Sequence, residues 1–232
     1  MSEVIGVAIV FMISLPVVAA NLIGISSAPT LAEISAFAVA QNVLFVALTV
    51  YVVRFRYRLA FSALGIRWER WTMMAAVGIA VGVLTIPTST IIERAAISII
   101  GAVIGRESAE KMASAEHARD VLTGVLLGPV TTTDIIWVLV IVCVVVPIGE
   151  EVFFRGFVFG ALRRWGVFLA SGLSALFFAA VHQQVVHFPP IFVLGIILAL
   201  FYERTQSLVP AIVVHGINNL VAILAVLYHW NI

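Results

Sequence analysis

The stretch IIWVLVIVCVVVPIGEEVFFRGFVFGALRRW, residues 135–165, decides how the rest of the chain is read. It is apolar throughout, except for Glu150, Glu151 and Arg155 in its interior and Arg163 and Arg164 near its end. A run of this length crosses a hydrocarbon core about 30 Å thick with residues to spare. An ionised side chain at bilayer depth costs about 2.5–3.5 kcal/mol. Three of them within six positions therefore mark a functional site by default.

Outward from that stretch, composition agrees. Of 232 residues, 62% are hydrophobic and only 11% charged, and the mean hydropathy is +1.16. Soluble domains carry about a quarter charged residues, so this is an integral membrane protein. The net charge of +1 comes with no basic tract able to follow a phosphate backbone, which excludes nucleic acid as a partner. The single cysteine, Cys143, excludes an intrachain disulfide and a multi-cysteine metal site.

Hydropathy gives an all-α, polytopic membrane helix bundle of about seven transmembrane helices, eight if residues 93–134 hold another. The expected spans are 4–25 (kinked at Pro16), 35–53, 72–92, 135–162, 167–185, 190–203 and 208–228. The fourth is long, and Pro147-Ile148-Gly149 is its expected bend. Within 93–134, residues 109–120 read as an exposed helix and 121–127 as an interfacial segment. The whole of 1–232 reads as a single membrane domain, with variable spans and a polar loop in 1–134 and the site-bearing core in 135–222. The N-terminus lacks a basic flank and reads as a retained span. Loop 54–71 holds five arginines and one acid; the positive-inside rule puts it and the N-terminus in the cytoplasm, the membrane being the plasma membrane.

The polar residues inside the spans form a pattern. Glu151 and Arg155 are i and i+4, so they meet on one helical face. Glu150 is rotated by about 100° from Glu151 and points elsewhere. The fifth span supplies Phe178 and His182 at the same spacing. The seventh supplies His215 and Asn219, with Asn218 beside them: donors stacked on one face, as stabilising an oxyanion requires. A histidine near a helix end is usually an ordinary interfacial or core residue, and His187 and the pair Gln183-Gln184 read that way.

Taken together, Pro147-Ile-Gly-Glu-Glu-Val-Phe-Phe-Arg-Gly156, Phe178-x-x-x-His182 and His215-x-x-x-Asn219 resemble the CAAX-processing and bacteriocin-processing or immunity (CPBP, or Abi) intramembrane proteases, which include the type II CAAX prenyl endopeptidases. The resemblance covers about residues 135–222. It implies an intramembrane endopeptidase in which Glu150 is the catalytic glutamate. His182 would assist it in taking a proton from water, His215 and Asn219 would stabilise the oxyanion, and Glu151, Arg155 and Phe178 would support. The substrate would be a peptide or membrane-associated protein, with a lipidated one suggested by the type II CAAX likeness. This reading needs no cofactor. Its metal-dependent variant would place zinc on Glu150, His182 and His215, with Glu151 a further oxygen donor, although the chain has no His-Glu-x-x-His helix. Two readings from other classes are a non-catalytic immunity or scaffold protein and a proton-coupled transporter. The first gains little for its buried acids, since interhelical hydrogen bonds contribute about 0.6 kcal/mol on average. The second lacks an inverted repeat.

Overall fold

The computed structural model describes residues 29–228, apart from 68, 69 and 120, together with Gly6, Val18, Ile23, Gly24 and Trp230. The first expected span, 4–25, lies outside this continuous stretch of described residues. Among those described there are helices and no strands.

Helix α1 (Leu31–Arg56) begins at a capping box. The Thr30 hydroxyl accepts from the Glu33 amide, and the Glu33 carboxylate accepts from the Thr30 amide, satisfying N–H groups that a helix start leaves open. A short 3₁₀ turn, Phe61–Leu64, leads to α2 (Trp71–Ile104). The third expected span, 72–92, is therefore too short. The helix continues past Glu93 and Arg94 because Ala95 to Ile104 contains nothing that breaks it, and it ends at Gly105 with φ +89°. At 1.5 Å per residue its 34 residues measure about 51 Å, far more than the hydrocarbon core. A helix of that length reaches beyond the core at one end or both, or crosses it with a tilt.

Beyond Gly105, α3 (Arg106–Arg119) folds back along α2, burying Ala109 and Ala113. The expected exposed helix at 109–120 thus starts three residues earlier. A short helix, α4 (Val121–Leu126), precedes α5 (Thr132–Trp165), which opens on a second capping box, Thr131 with Asp134. Helix α6 (Val167–Val181) is shorter than the expected 167–185. Gln183 takes a left-handed φ of +55°, so the helix stops at His182 and 183–187 is a loop. Helices α7 (Phe188–Thr205) and α8 (Val209–Leu227) lie close to their expected ranges. Among the described residues, five helices (α1, α2, α5, α7 and α8) are long and apolar enough to cross a membrane, and α6 is a shorter apolar one. The chain is an all-α, polytopic membrane protein.

Helix α5 runs unbroken through Pro147. It is one continuous helix with two widened, π-helical segments, Ile141–Val145 and Val152–Phe159. The first follows from proline chemistry. Pro147 has no N–H to give and its ring crowds the carbonyl four residues back. The helix widens, the Val146 amide reaches Ile141 five residues back, and the Val142 carbonyl is left without a partner in its own ladder. Widened turns of this kind occur often at functional sites.

That carbonyl is where α8 docks. Asn219 Nδ2 donates to the Val142 carbonyl at 2.8 Å. One turn earlier, Gly216 faces the Cys143 carbonyl so closely that a Cβ there would lie 2.5 Å from the oxygen. Against α2, α8 sets Val213 and Ile217 on Gly78 and Gly82, the small-residue spacing that lets membrane helices approach. Asn218 Nδ2 donates across the same contact to Thr85 Oγ1 at 2.8 Å. The main apolar core centres on α5. There Phe45, Phe153, Phe154, Phe157, Phe159 and Phe178 pack from α1, α5 and α6.

Candidate active site

Glu151 and Arg155 sit where the fully buried face of α5 meets α6, α7 and α8. Arg155 Nη1 donates to Glu151 Oε1 at 2.7 Å, and both side chains are completely buried. Arg155 Nη2 donates to the Gly195 carbonyl of α7 at 3.3 Å, and its guanidinium lies 4.4 Å from the centre of the Phe178 ring. A guanidinium over an aromatic face is attracted by the ring quadrupole, more strongly when both are dry. The i, i+4 pairing expected from the sequence is present, and it ties together more helices than its own.

His215 reaches the same carboxylate from α8, with Nδ1 2.9 Å from Glu151 Oε1. A carboxylate held ionised by an arginine only accepts, so His215 Nδ1 carries the proton and Nε2 turns the other way. There Nε2 lies 3.8 Å from Glu150 Oε2, too far for a hydrogen bond. Close approach at Gly216 brings the imidazole into this position. A methyl group at that site would push α8 away from the Cys143 carbonyl and take His215 with it.

Glu150 faces a different environment from its neighbour. Its side chain is 13% exposed against none for Glu151. Its Oε2 is buried and, among the described residues, has no hydrogen-bond partner. A buried carboxylate oxygen in that condition needs a proton, a water or a substrate group to satisfy it.

His182 stands at the exposed C-terminal end of α6. Its Nδ1 lies 2.7 Å from the Phe178 carbonyl. A carbonyl only accepts, so Nδ1 is the protonated nitrogen and Nε2 is left as a proton acceptor. The Phe178 ring touches both imidazoles edge to face, with centroids 5.0 Å from His182 and 5.5 Å from His215. Phe178 therefore spans from an exposed histidine to a buried one. Among the described residues, no hydrogen bond or ion pair joins His182 directly to Glu150.

The structure gathers Glu150, Glu151, Arg155, His215 and Phe178 closely, sets His182 on the far edge of the Phe178 ring, and places Asn219 one turn beyond His215. Asn219 has one N–H engaged by the Val142 carbonyl. No three His, Cys, Asp or Glu side chains among the described residues form a group able to hold a metal ion.

Sequence reasoning missed Asn42. It is buried on α1 with its Oδ1 unpartnered, and a Cβ at Gly149, next to Glu150, would overlap it. An amide inside an apolar span was the available signal. His187, read as an ordinary interfacial or core residue, lies between the carboxylates of Glu93 and Glu116.

The described residues thus place a buried carboxylate–arginine–imidazole cluster beside a carboxylate oxygen that has no partner among them. Residues 132–221 match the family model described as type II CAAX prenyl endopeptidase Rce1-like. Comparison with curated proteins and with solved structures gave no match.

Proposed function

We propose that the protein hydrolyses peptide bonds with a water activated by Glu150, without a metal ion. The observation that carries this reading is the buried, unpartnered Oε2 of Glu150 facing His215 Nε2 across 3.8 Å. A water oxygen beside that gap touches both groups.

On this reading Glu150 takes a proton as the water oxygen attacks the scissile carbonyl. The C=O π pair moves to oxygen, giving a tetrahedral oxyanion. His215 Nε2, once protonated from Glu150, and the second N–H of the Asn219 amide donate to that oxyanion. Collapse re-forms the carbonyl and breaks the C–N bond, and the leaving amine takes the proton. His182 Nε2, at the exposed rim, exchanges protons between the site and solvent. Glu151, neutralised by Arg155, keeps the His215 proton on Nδ1 and so holds its Nε2 toward Glu150. The metal-dependent variant finds less support, because the side chains it would need do not gather into a metal-holding group among the described residues.

The substrate class follows from the family: a peptide or protein segment in or at the membrane, with cleavage near a lipidated C-terminus as the more specific proposal. The arginine-rich segment around Arg54, Arg56, Arg58, Arg67 and Arg70 faces the cytoplasm on the positive-inside rule, with the plasma membrane as the location.

The test is peptide cleavage by detergent-purified protein, using a quenched-fluorescence library with prenylated and unprenylated members, beside Glu150→Gln. The expected result is turnover that survives chelation in the parent and vanishes in the variant, whose unfolding transition is unchanged. Full turnover by Glu150→Gln overturns the mechanism. A variant that loses stability without any parental cleavage supports the scaffold reading instead.

A further inference from the structure

The loop 183–187 follows directly on His182, and one carboxylate from 70 residues earlier holds it. Glu116 Oε1 and Oε2 accept from the backbone amides of Val185 (2.7 Å), Val186 (3.0 and 3.1 Å) and His187 (3.3 Å). The ring of His187 adds Nδ1 at 2.8 Å from Glu116 Oε2. On its other side Nε2 lies 3.4 Å from Glu93 Oε1 of α2. Val186 is fully buried beneath this arrangement. Glu116 continues the face of α3 that buries Ala109 and Ala113, so packing aims it at the loop. Gln183 occupies the left-handed region, where a residue with a Cβ persists only if its surroundings hold it.

We propose that Glu116 is a positioning residue for the reaction: by clamping the 183–187 loop to α3, with His187 and Glu93 as the second half of the clamp, it fixes the ring of His182 at the rim of the site. This rests on the reading that His182 serves the Glu150 centre. Three consecutive amides converging on one carboxylate leave the loop one conformation. His182 is the residue from which that loop starts. Without the clamp the Gln183 strain relaxes, the last turn of α6 frays, and the Nδ1 contact to Phe178 that sets the His182 tautomer is lost.

The clamp has a pH window. The charged groups facing the His187 ring are Glu93 from α2 and Glu116 from α3. Burial pulls the His187 imidazole down, but these two carboxylates outweigh it and hold it above the ordinary value of 6.5. Burial pushes the Glu116 carboxyl up, but the amides of Val186, Val185 and His187 and the His187 ring outweigh it and hold it below the ordinary 4.5. A raised histidine contributes fully below its unfolded value, and its contribution is lost as pH rises through the folded one. A lowered carboxylate contributes above its unfolded value, and its contribution is lost as pH falls through the folded one. Both halves of the clamp are therefore charged from below pH 4.5 to above pH 6.5, and the clamp weakens on either side of that window.

The experiment uses the full-length protein in detergent, with Glu116→Ala, Glu116→Gln and His187→Gln. It reads peptide turnover, amide exchange of a fragment spanning 183–188, and the ring resonances of labelled His182 assigned with His182→Gln. In Glu116→Ala, the fragment exchanges faster, the His182 resonances move, and kcat falls by about tenfold to a hundredfold with KM nearly unchanged. Glu116→Gln keeps two acceptor positions on its carbonyl oxygen and falls between. Faster exchange with unmoved His182 resonances and unchanged kcat overturns the proposal. Should Glu116→Ala fail to fold, His187→Gln leaves the three amide bonds intact and removes the titrating ring. The alkaline decline of kcat then disappears, and a pH profile identical to the parent overturns the proposal. A parent that cleaves no peptide removes the Glu150 reading instead; the clamp then stands or falls on the His182 resonances alone.

Discussion

Arg155→Met removes the one cation that compensates Glu151. Both partners are completely buried and 2.7 Å apart, so neither solvent nor salt screens them. At an effective dielectric near 20, charges at that separation attract by about 6 kcal/mol, most of it spent on desolvating the two groups. Methionine fills much of the arginine volume and leaves the carboxylate without its counter-charge. Removing one partner of a buried pair costs about 3–5 kcal/mol. The lost hydrogen bond to the Gly195 carbonyl and the lost contact with the Phe178 ring fall within that range rather than above it. Glu151→Gln orphans the guanidinium and costs a comparable amount, while its amide oxygen still accepts from His215. The double variant carries no unpaired charge and is more stable than either single one. The assay is reversible unfolding in mixed micelles, followed by helical circular dichroism and arranged as a double-mutant cycle. A cost below about 1 kcal/mol for Arg155→Met, or costs that simply add in the double variant, would refute the reasoning, since a solvated or optional pair behaves in that way.

Gly216→Ala presses a methyl group onto the Cys143 carbonyl; overpacking of this kind costs about 1–3 kcal/mol, and turnover should fall by more than stability because His215 moves with α8. Asn219→Ala leaves the Val142 carbonyl bare at about 1–3 kcal/mol. In a Pro147→Ala background that carbonyl regains an N–H five residues on, so the cost of Asn219→Ala shrinks; equal costs in the two backgrounds, measured by the same unfolding assay, count against the docking account. Thr30→Ala removes the capping box of α1 and lowers stability by about 0.5–2 kcal/mol with turnover unchanged, which peptide cleavage at matched folded fractions checks.

The spans described by the structure were readable because a bilayer imposes one simple demand, about twenty apolar residues in sequence. The Glu151–Arg155 contact, 2.7 Å long, was equally readable, since helical geometry alone places i and i+4 together. What the periodicity could not show was the widening of α5. A proline in an apolar run predicts trouble for the ladder, but whether a helix kinks or takes up an extra residue per turn depends on the neighbour that receives the freed carbonyl. Here that neighbour is Asn219, 77 residues away. For the same reason the sequence assigned His215 to the oxyanion alone; its bond to Glu151 depends on how near Gly216 lets α8 approach. The end of α6 was placed four residues late because Val185 and Val186 read as apolar span residues. Their amides answer to Glu116 rather than to a helix. His187 looked incidental because both of its partners, Glu93 and Glu116, lie outside any local window.

The widened turn before Pro147 also makes this part of the chain respond unequally to changes in length. A π-helical turn amounts to an inserted residue, so deleting one position between Ile141 and Val145 would let the backbone rewind to ordinary pitch, and the lost residue and the lost widening would offset each other. A further insertion at ordinary pitch has no such offset: everything downstream would rotate by about 100° and advance by about 1.5 Å. The acid at 150 would swing out of register while α8 stayed behind. Descendants of this sequence are free to exchange one aliphatic residue for another along that turn, and a shortening there is better tolerated than a lengthening.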